Sequence, residues 1–119
     1  MATRIADDSL SASWLAVRLG MEPMRLEAMR RAGELIAYRP EGAREHYYPL
    51  WQFDEDWRPL QIVPRLVREG RERGLAENRL YEILAGRSGL SAGGGRLAKS
   101  LREGRDEHVL EAVRRARAE

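Results

Sequence analysis

The chain is 119 residues long, 43% hydrophobic and free of cysteine, which is the size of one compact domain and excludes disulfides, thiolate catalysis, iron-sulfur clusters and cysteine-held zinc. Its 21 basic and 19 acidic side chains leave a net charge of +2, so field strength alone does not announce a nucleic-acid binder and any basic patch must come from folding. The two histidines, His46 and His108, are far apart with no second His at helical spacing, and no apolar run is long enough for a signal peptide or a membrane span; no metal site and a cytoplasmic location are the expectations.

Ser11 is placed to cap a helix in which Leu15, Ala16 and Leu19 share one face, and Gly20 suits the left-handed stop that ends it. Pro23 fits the first turn of a second helix carrying Leu26 and Met29, with Gly33 as its terminator. The runs Leu35-Ile36-Ala37-Tyr38-Arg39 and Arg44-Glu45-His46-Tyr47-Tyr48, joined by Pro40-Glu41-Gly42-Ala43, predict a β-hairpin. Trp51-Gln52-Phe53 reads as an extended stretch laid over the core. From there the period is helical. Pro64 opens a helix to about Arg73 with Val63, Leu66 and Val67 inward, and further helices are expected over residues 76–85, 96–103 and 106–117. Their inward residues are Leu80, Tyr81 and Leu84, then Leu97 and Leu101, then Val109, Leu110, Val113 and Ala116. The fold expected is mainly α: a winged helix-turn-helix with a β-hairpin wing in residues 1–53, followed by a small helical bundle in residues 54–119 for dimerisation or partner binding.

Two helices crossing steeply share one small core. A helix-turn-helix therefore needs a small residue such as Ala16 where they cross and a flexible one such as Gly20 at the turn, whereas an ordinary antiparallel pair demands neither. If the second helix enters a major groove, its outward side chains are Pro23, Met24, Arg25, Glu27, Ala28 and Arg31, of which Arg25 and Arg31 can reach phosphates or guanine edges. Glu22, Glu27 and Glu34 work against this, since their carboxylates repel nearby phosphates unless Glu27 accepts from a cytosine amino group or is held by Arg30 or Arg31. Arg39 and Arg44 flank the hairpin turn, where a wing would touch neighbouring phosphates; a purely structural hairpin explains the apolar residues there equally well.

Trp14, Trp51 and Trp57 read as core filling rather than as a stacking platform for single strands, with Trp57 the one expected to stay partly exposed. His108 reads as a half-buried helix residue. The Asp54-Glu55-Asp56 run reads as a solvated turn, and Gly93-Gly94-Gly95-Arg96-Leu97 as a flexible connector lacking the Lys-Ser/Thr of a phosphate loop. No nucleophile, base and orienting group occur together, so no catalytic residue, cofactor or metal is expected.

The segments Trp14-Leu15-Ala16-x-Arg18-Leu19-Gly20, Arg30-Arg31-Ala32-Gly33-Glu34-Leu35 and Tyr48-Pro49-Leu50-Trp51-Gln52-Phe53 resemble the winged helix-turn-helix of excisionase and MerR-type DNA-binding domains. The part that follows, ending on Leu101-Arg102-Glu103-Gly104-Arg105-x-x-x-Val109-Leu110, is similar to the C-terminal domain shared by Xre, MbcA and ParS-type antitoxins. The resemblance implies operator binding and neutralisation of a toxin partner. The expected function is sequence-specific binding of double-stranded DNA by a bacterial transcriptional regulator or antitoxin-like autorepressor. The alternative is a protein-protein interaction module, such as a toxin-neutralising antitoxin or adaptor, in which the helix-turn-helix is only a scaffold. With a net charge of +2, one protomer should hold non-specific DNA no tighter than roughly micromolar, so a homodimer is expected. Leu101, Val109, Leu110 and Val113 are the surplus apolar residues expected to pair it.

Overall fold

The computed structural model describes residues 8–86 and 97–116. The chain is mainly helical, with six α-helices and one two-stranded antiparallel sheet among the described residues. Strand β1 (Ser9–Ser11) leads into α1 (Ala12–Leu19) and α2 (Pro23–Arg31). Strand β2 (Tyr47–Pro49) runs into a 3-10 turn at Leu50–Gln52, followed by α3 (Val63–Glu72), α4 (Glu77–Ala85), α5 (Leu97–Arg102) and α6 (Asp106–Arg115). No helix among the described residues is long and apolar enough to cross a membrane.

Local chemistry sets the first two helices. The Ser11 hydroxyl accepts from the Trp14 amide at 3.3 Å, Gly20 ends α1 at φ 65°, and the Met21 amide reaches back to the Ala16 carbonyl at 3.0 Å. Pro23 then stands in the first turn of α2, where its missing N–H costs nothing. At α6 the charges follow the helix dipole, with Asp106 and Glu107 in the first turn and Arg114 and Arg115 in the last.

Two apolar cores share one wall. The first gathers Leu15, Ala16, Leu26, Leu35, Ala37, Tyr48 and Phe53, and the second is built around Leu66, Leu84, Val109, Leu110 and Val113 of the later helices. Residues 35–38 alternate between them: Leu35 and Ala37 point into the first core, Ile36 and Tyr38 into the second. Trp51 and Phe53 divide in the same way. Tyr38 stacks on Tyr81 of α4 with ring centroids 3.7 Å apart, fastening the wall to the later helices.

The predicted hairpin is reduced to a single bridge, Tyr38 opposite Tyr47, with backbone bonds of 3.0 and 2.7 Å. The reason lies in two side-chain amides that take the ladder's place. Gln52, fully buried, accepts from the Ile36 amide and donates to the Ile36 carbonyl, both at 2.7 Å, and also donates to Pro49. Asn78 pairs with the Arg39 amide and carbonyl, both at 2.8 Å. With its backbone satisfied this way, the first run needs no strand partner, and β2 pairs instead with β1, Leu10 opposite Tyr48.

Four further expectations are corrected. The Trp51 segment is partly a 3-10 turn rather than extended. Trp14 is 69% exposed, because it occupies a face of α1 that no other element covers. Leu101, Val109, Leu110 and Val113 are all buried in the second core, so they leave no surplus surface for pairing two chains. His108 is exposed. As expected, Trp57 is partly exposed and Asp54-Glu55-Asp56 forms a solvated turn, where an Asp54 carboxylate oxygen accepts from the Asp56 and Arg58 amides. The Gly93-Gly94-Gly95 connector, Arg96 and Arg117 lie outside the described residues, as does the side chain of Leu97.

Candidate nucleic-acid interface

Residues 20–22 link α1 to α2, and the inward side of α2 is anchored by Leu26 against Leu15 and Ala16. That anchoring turns Pro23, Met24, Arg25, Ala28 and Arg31 to solvent, with Met24 82% exposed. Pro23, Met24, Glu27, Ala28, Arg31 and Ala32 line one shallow concave surface. The outward set read from helical spacing is thus exposed as a group, apart from Glu27, which is half-buried.

Glu27 is held by its neighbour rather than left free. One carboxylate oxygen receives both Nε and Nη2 of Arg30, at 2.8 and 2.7 Å, while the other lies 3.7 Å from Arg31. The hydrogen bond from Arg30 keeps the Glu27 carboxyl below the usual carboxylate range, despite some desolvation.

Arg30, largely buried, extends the network across to α4. Its Nη1 donates to both carboxylate oxygens of Glu77 at 3.0 and 2.9 Å. His46 Nε2 stands 3.4 Å from the same carboxylate. Burial, reinforced by the positive charge of Arg30, holds the His46 imidazole below its ordinary value even with Glu77 and Glu27 nearby. Burial pushes the Tyr48 hydroxyl, beside Arg30, up to about 12. Burial pulls the Arg30 guanidinium down, but its bonds to Glu77 and Glu27 outweigh this and its affinity for protons is raised.

Arg71 of α3 secures the other end of α2. Its Nη2 donates to the carbonyl of Arg31 at 3.0 Å, an acceptor near the helix end, and more weakly to that of Arg30 at 3.4 Å, which also accepts from the Gly33 amide. Gly33 makes room for it: at φ 82° a Cβ there would lie 3.0 Å from Arg71 Nη1.

The turn at residues 40–43 closes with an Ala43 amide to Pro40 carbonyl bond of 3.0 Å and Gly42 at φ 81°. Arg39 and Arg44 are both exposed on its two sides. Glu45 leaves their company: it accepts from the Ser13 amide and hydroxyl at 2.9 and 2.8 Å and so caps α1. Among the described residues Arg25, Arg39 and Arg44 have no ion-pair partner, and no cluster of His, Asp and Glu is placed to hold a metal ion.

Sequence spacing found the outward face of α2 and offered Arg30 as a holder of Glu27, but missed the reach of Arg30 to Glu77 and the place of His46 beside it. The local signal was the Glu27 to Arg30 spacing; Glu77 is 47 residues from Arg30, and only folding brings them together. It also missed Arg71, whose contact with α2 comes from a different helix.

No family model matches the sequence, and no curated protein matches it. Among solved structures the fold is similar to the NMR structure of Rv2175c, with a TM-score of 0.75 at 17% identity over 94% of this chain and 84% of that one. That likeness concerns the fold alone.

Proposed function

We propose that the chain is a sequence-specific double-stranded DNA-binding protein, a winged helix-turn-helix that lays α2 in the major groove and rests the residue 40–43 turn on the flanking backbone. The observation that supports this most directly is the division of charge on α2. Its one carboxylate, Glu27, is bonded to Arg30 at 2.7 Å, while Arg25 and Arg31 stay exposed on the outward side. Within α2 the cations thus outnumber the anions on the outward side, and Glu22 at the N-cap is the exposed carboxylate that phosphate would still meet. Arg39 and Arg44 add two exposed cations on the adjacent turn, freed of Glu45 by its bond to Ser13. The resemblance to excisionase and MerR-type domains fits this reading, and a role as a regulator or autorepressor follows from it.

The test is a shift assay on duplexes enriched from a random pool, with the parent chain, Arg25→Ala and Arg31→Ala. Each variant should weaken specific binding by about 1–3 kcal/mol for a lost bidentate contact while leaving the melting temperature nearly unchanged. Equal affinity of all three for the enriched site would take α2 out of the interface.

A second reading, a module that binds a protein partner such as a toxin, is favoured by one observation: Trp14 and Val17 on α1 are 69% and 75% exposed. The two stand one turn apart on the same helix, and a contiguous exposed apolar patch with an aromatic in it is a common form of protein contact. Trp14→Ser would abolish partner capture and leave DNA affinity alone on this reading.

A further inference from the structure

The outward face of α2 has a restricted chemistry. In the major groove guanine is read by Arg or Lys, adenine by Asn or Gln, cytosine by a free carboxylate, and thymine by apolar contact with its 5-methyl group. The sequence of α2, Pro23-Met24-Arg25-Leu26-Glu27-Ala28-Met29-Arg30-Arg31, contains no Asn, Gln, Ser or Thr. Its single carboxylate has one oxygen against Arg30 Nε and Nη2, at 2.8 and 2.7 Å, and the other 3.7 Å from Arg31, so its charge is offset from both sides and it is a weakened acceptor for a cytosine amino group. What remains exposed is Arg25, Arg31 and an apolar strip. Met24, Ala28 and Arg31 follow one another at i, i+4 and i+7, and line the same concave surface as Pro23. Met24 is 82% exposed, the most exposed large apolar side chain among the described residues, and its unbranched thioether adapts its shape to what it meets.

Resting on the DNA-binding reading, we propose that α2 reads keto bases alone: thymines through their 5-methyl groups against Met24 and Ala28, and guanines through Arg31 and Arg25. Met24 is then the residue that discriminates thymine from cytosine, and the bases contacted in the groove are thymine and guanine.

Deoxyuridine pairs as thymine does and lacks only the methyl group, which makes it the direct probe. The full chain first enriches duplexes from a random pool; each thymine of the enriched site is then replaced singly by deoxyuridine, and affinities are measured for the parent and for Met24→Ala. One or two positions should lose about fourfold with the parent, the worth of one buried methyl. Met24→Ala should show that loss already on the thymine duplex and no further loss when the thymine facing Met24 is replaced by deoxyuridine, a position facing Ala28 keeping its effect, with an unchanged melting temperature because the side chain is exposed. An enriched site that tolerates deoxyuridine everywhere, or whose fixed positions are adenine and cytosine on the contacted strand, overturns the base assignment and leaves DNA binding standing. A pool from which no sequence is enriched overturns the DNA-binding reading itself.

Discussion

The edge of α2 that faces α4 and the face that looks outward are built from the same residue types, and they differ in what surrounds them. Arg30 and Arg31 are adjacent in sequence, yet the Arg30 side chain is 12% exposed and that of Arg31 73%. About 100° of helical rotation separates them, enough to bring one against Glu77, His46 and Tyr48 and leave the other in water. The difference teaches that the inward arginine serves the outward ones. By occupying Glu27 it removes the anion from the exposed face, and by gripping Glu77 it fixes the rotation of α2 about its own axis relative to α4.

The largest effect is expected from removing the two arginines one at a time. Arg30→Ala takes the hydrogen-bonded partner from two carboxylates, leaving Glu27 only the more distant Arg31 and Glu77 only His46, and it should destabilise the chain by about 1–2 kcal/mol, the worth of hydrogen bonds to charged groups discounted for partial exposure. Arg31→Ala should stay within about 0.5 kcal/mol, as surface substitutions do. Denaturant unfolding of both variants measures the contrast; equal losses would mean that the network around Arg30 contributes nothing beyond a surface ion pair.

Gly33→Ala probes the end of the same helix with an expected effect no larger. The left-handed backbone at φ 82° strains any Cβ, and the new carbon would crowd Arg71 Nη1 and so push the guanidinium, whose Nη2 holds the carbonyls of Arg30 and Arg31, off those acceptors. A loss of about 1–2 kcal/mol is expected in the same unfolding experiment. Arg71→Ala combined with Gly33→Ala should cost less than the sum of the two single changes, because the second removes a contact the first has already disturbed.

How far the sequence revealed these features depends on how local their causes are. The caps at Ser11, Gly20 and Pro23 act within a few residues of themselves, so α1 and α2 and their outward faces were legible from spacing. The hairpin was not, because the groups that satisfy Ile36 and Arg39 are Gln52 and Asn78, 16 and 39 residues away. The same limit hid the bond between Arg30 and Glu77. Apolar period identified Val109, Leu110 and Val113 as inward, but a period cannot tell whether an apolar face meets its own chain or a second one; here it meets α3, α4 and α5. Trp14 is the converse case, a large ring at helical spacing with no element over it.

On the turn beside α2 the expected effects concern salt rather than folding. Arg39 and Arg44 are exposed, so if they neutralise phosphates, Ala at either should weaken binding on all sequences alike and lower the magnitude of the salt slope by about one unit. Titrations of specific and random duplexes at several salt concentrations measure it. A change in preference at one base position would instead make the turn a reader of bases.

The smallest effect expected is the pH response of the Arg30 network. His46 is held below its ordinary value of 6.5 by burial and by Arg30. The unfolded chain therefore takes up this proton at higher pH than the folded one, so in the window below 6.5 the unfolded state binds more protons and stability falls as pH falls, levelling off once the folded imidazole has also titrated. Glu27, lowered from 4.5 by its bond to Arg30, acts in the same direction further down: its contribution is present above 4.5 and is lost as pH falls through its folded value. Tyr48 works at the other end, because a hydroxyl pushed up to about 12 keeps its proton in the fold after the unfolded chain has lost it near 10, so stability drops as pH rises above 10. Unfolding midpoints of the parent and of His46→Gln between about pH 8 and pH 3 separate the first of these from the second. The variant should lose the slope just below 6.5 and keep the steeper fall near 4.5; a parent and variant with parallel profiles would show that the imidazole senses neither its burial nor Arg30, and that the inward edge of α2 is as open to water as its outward face.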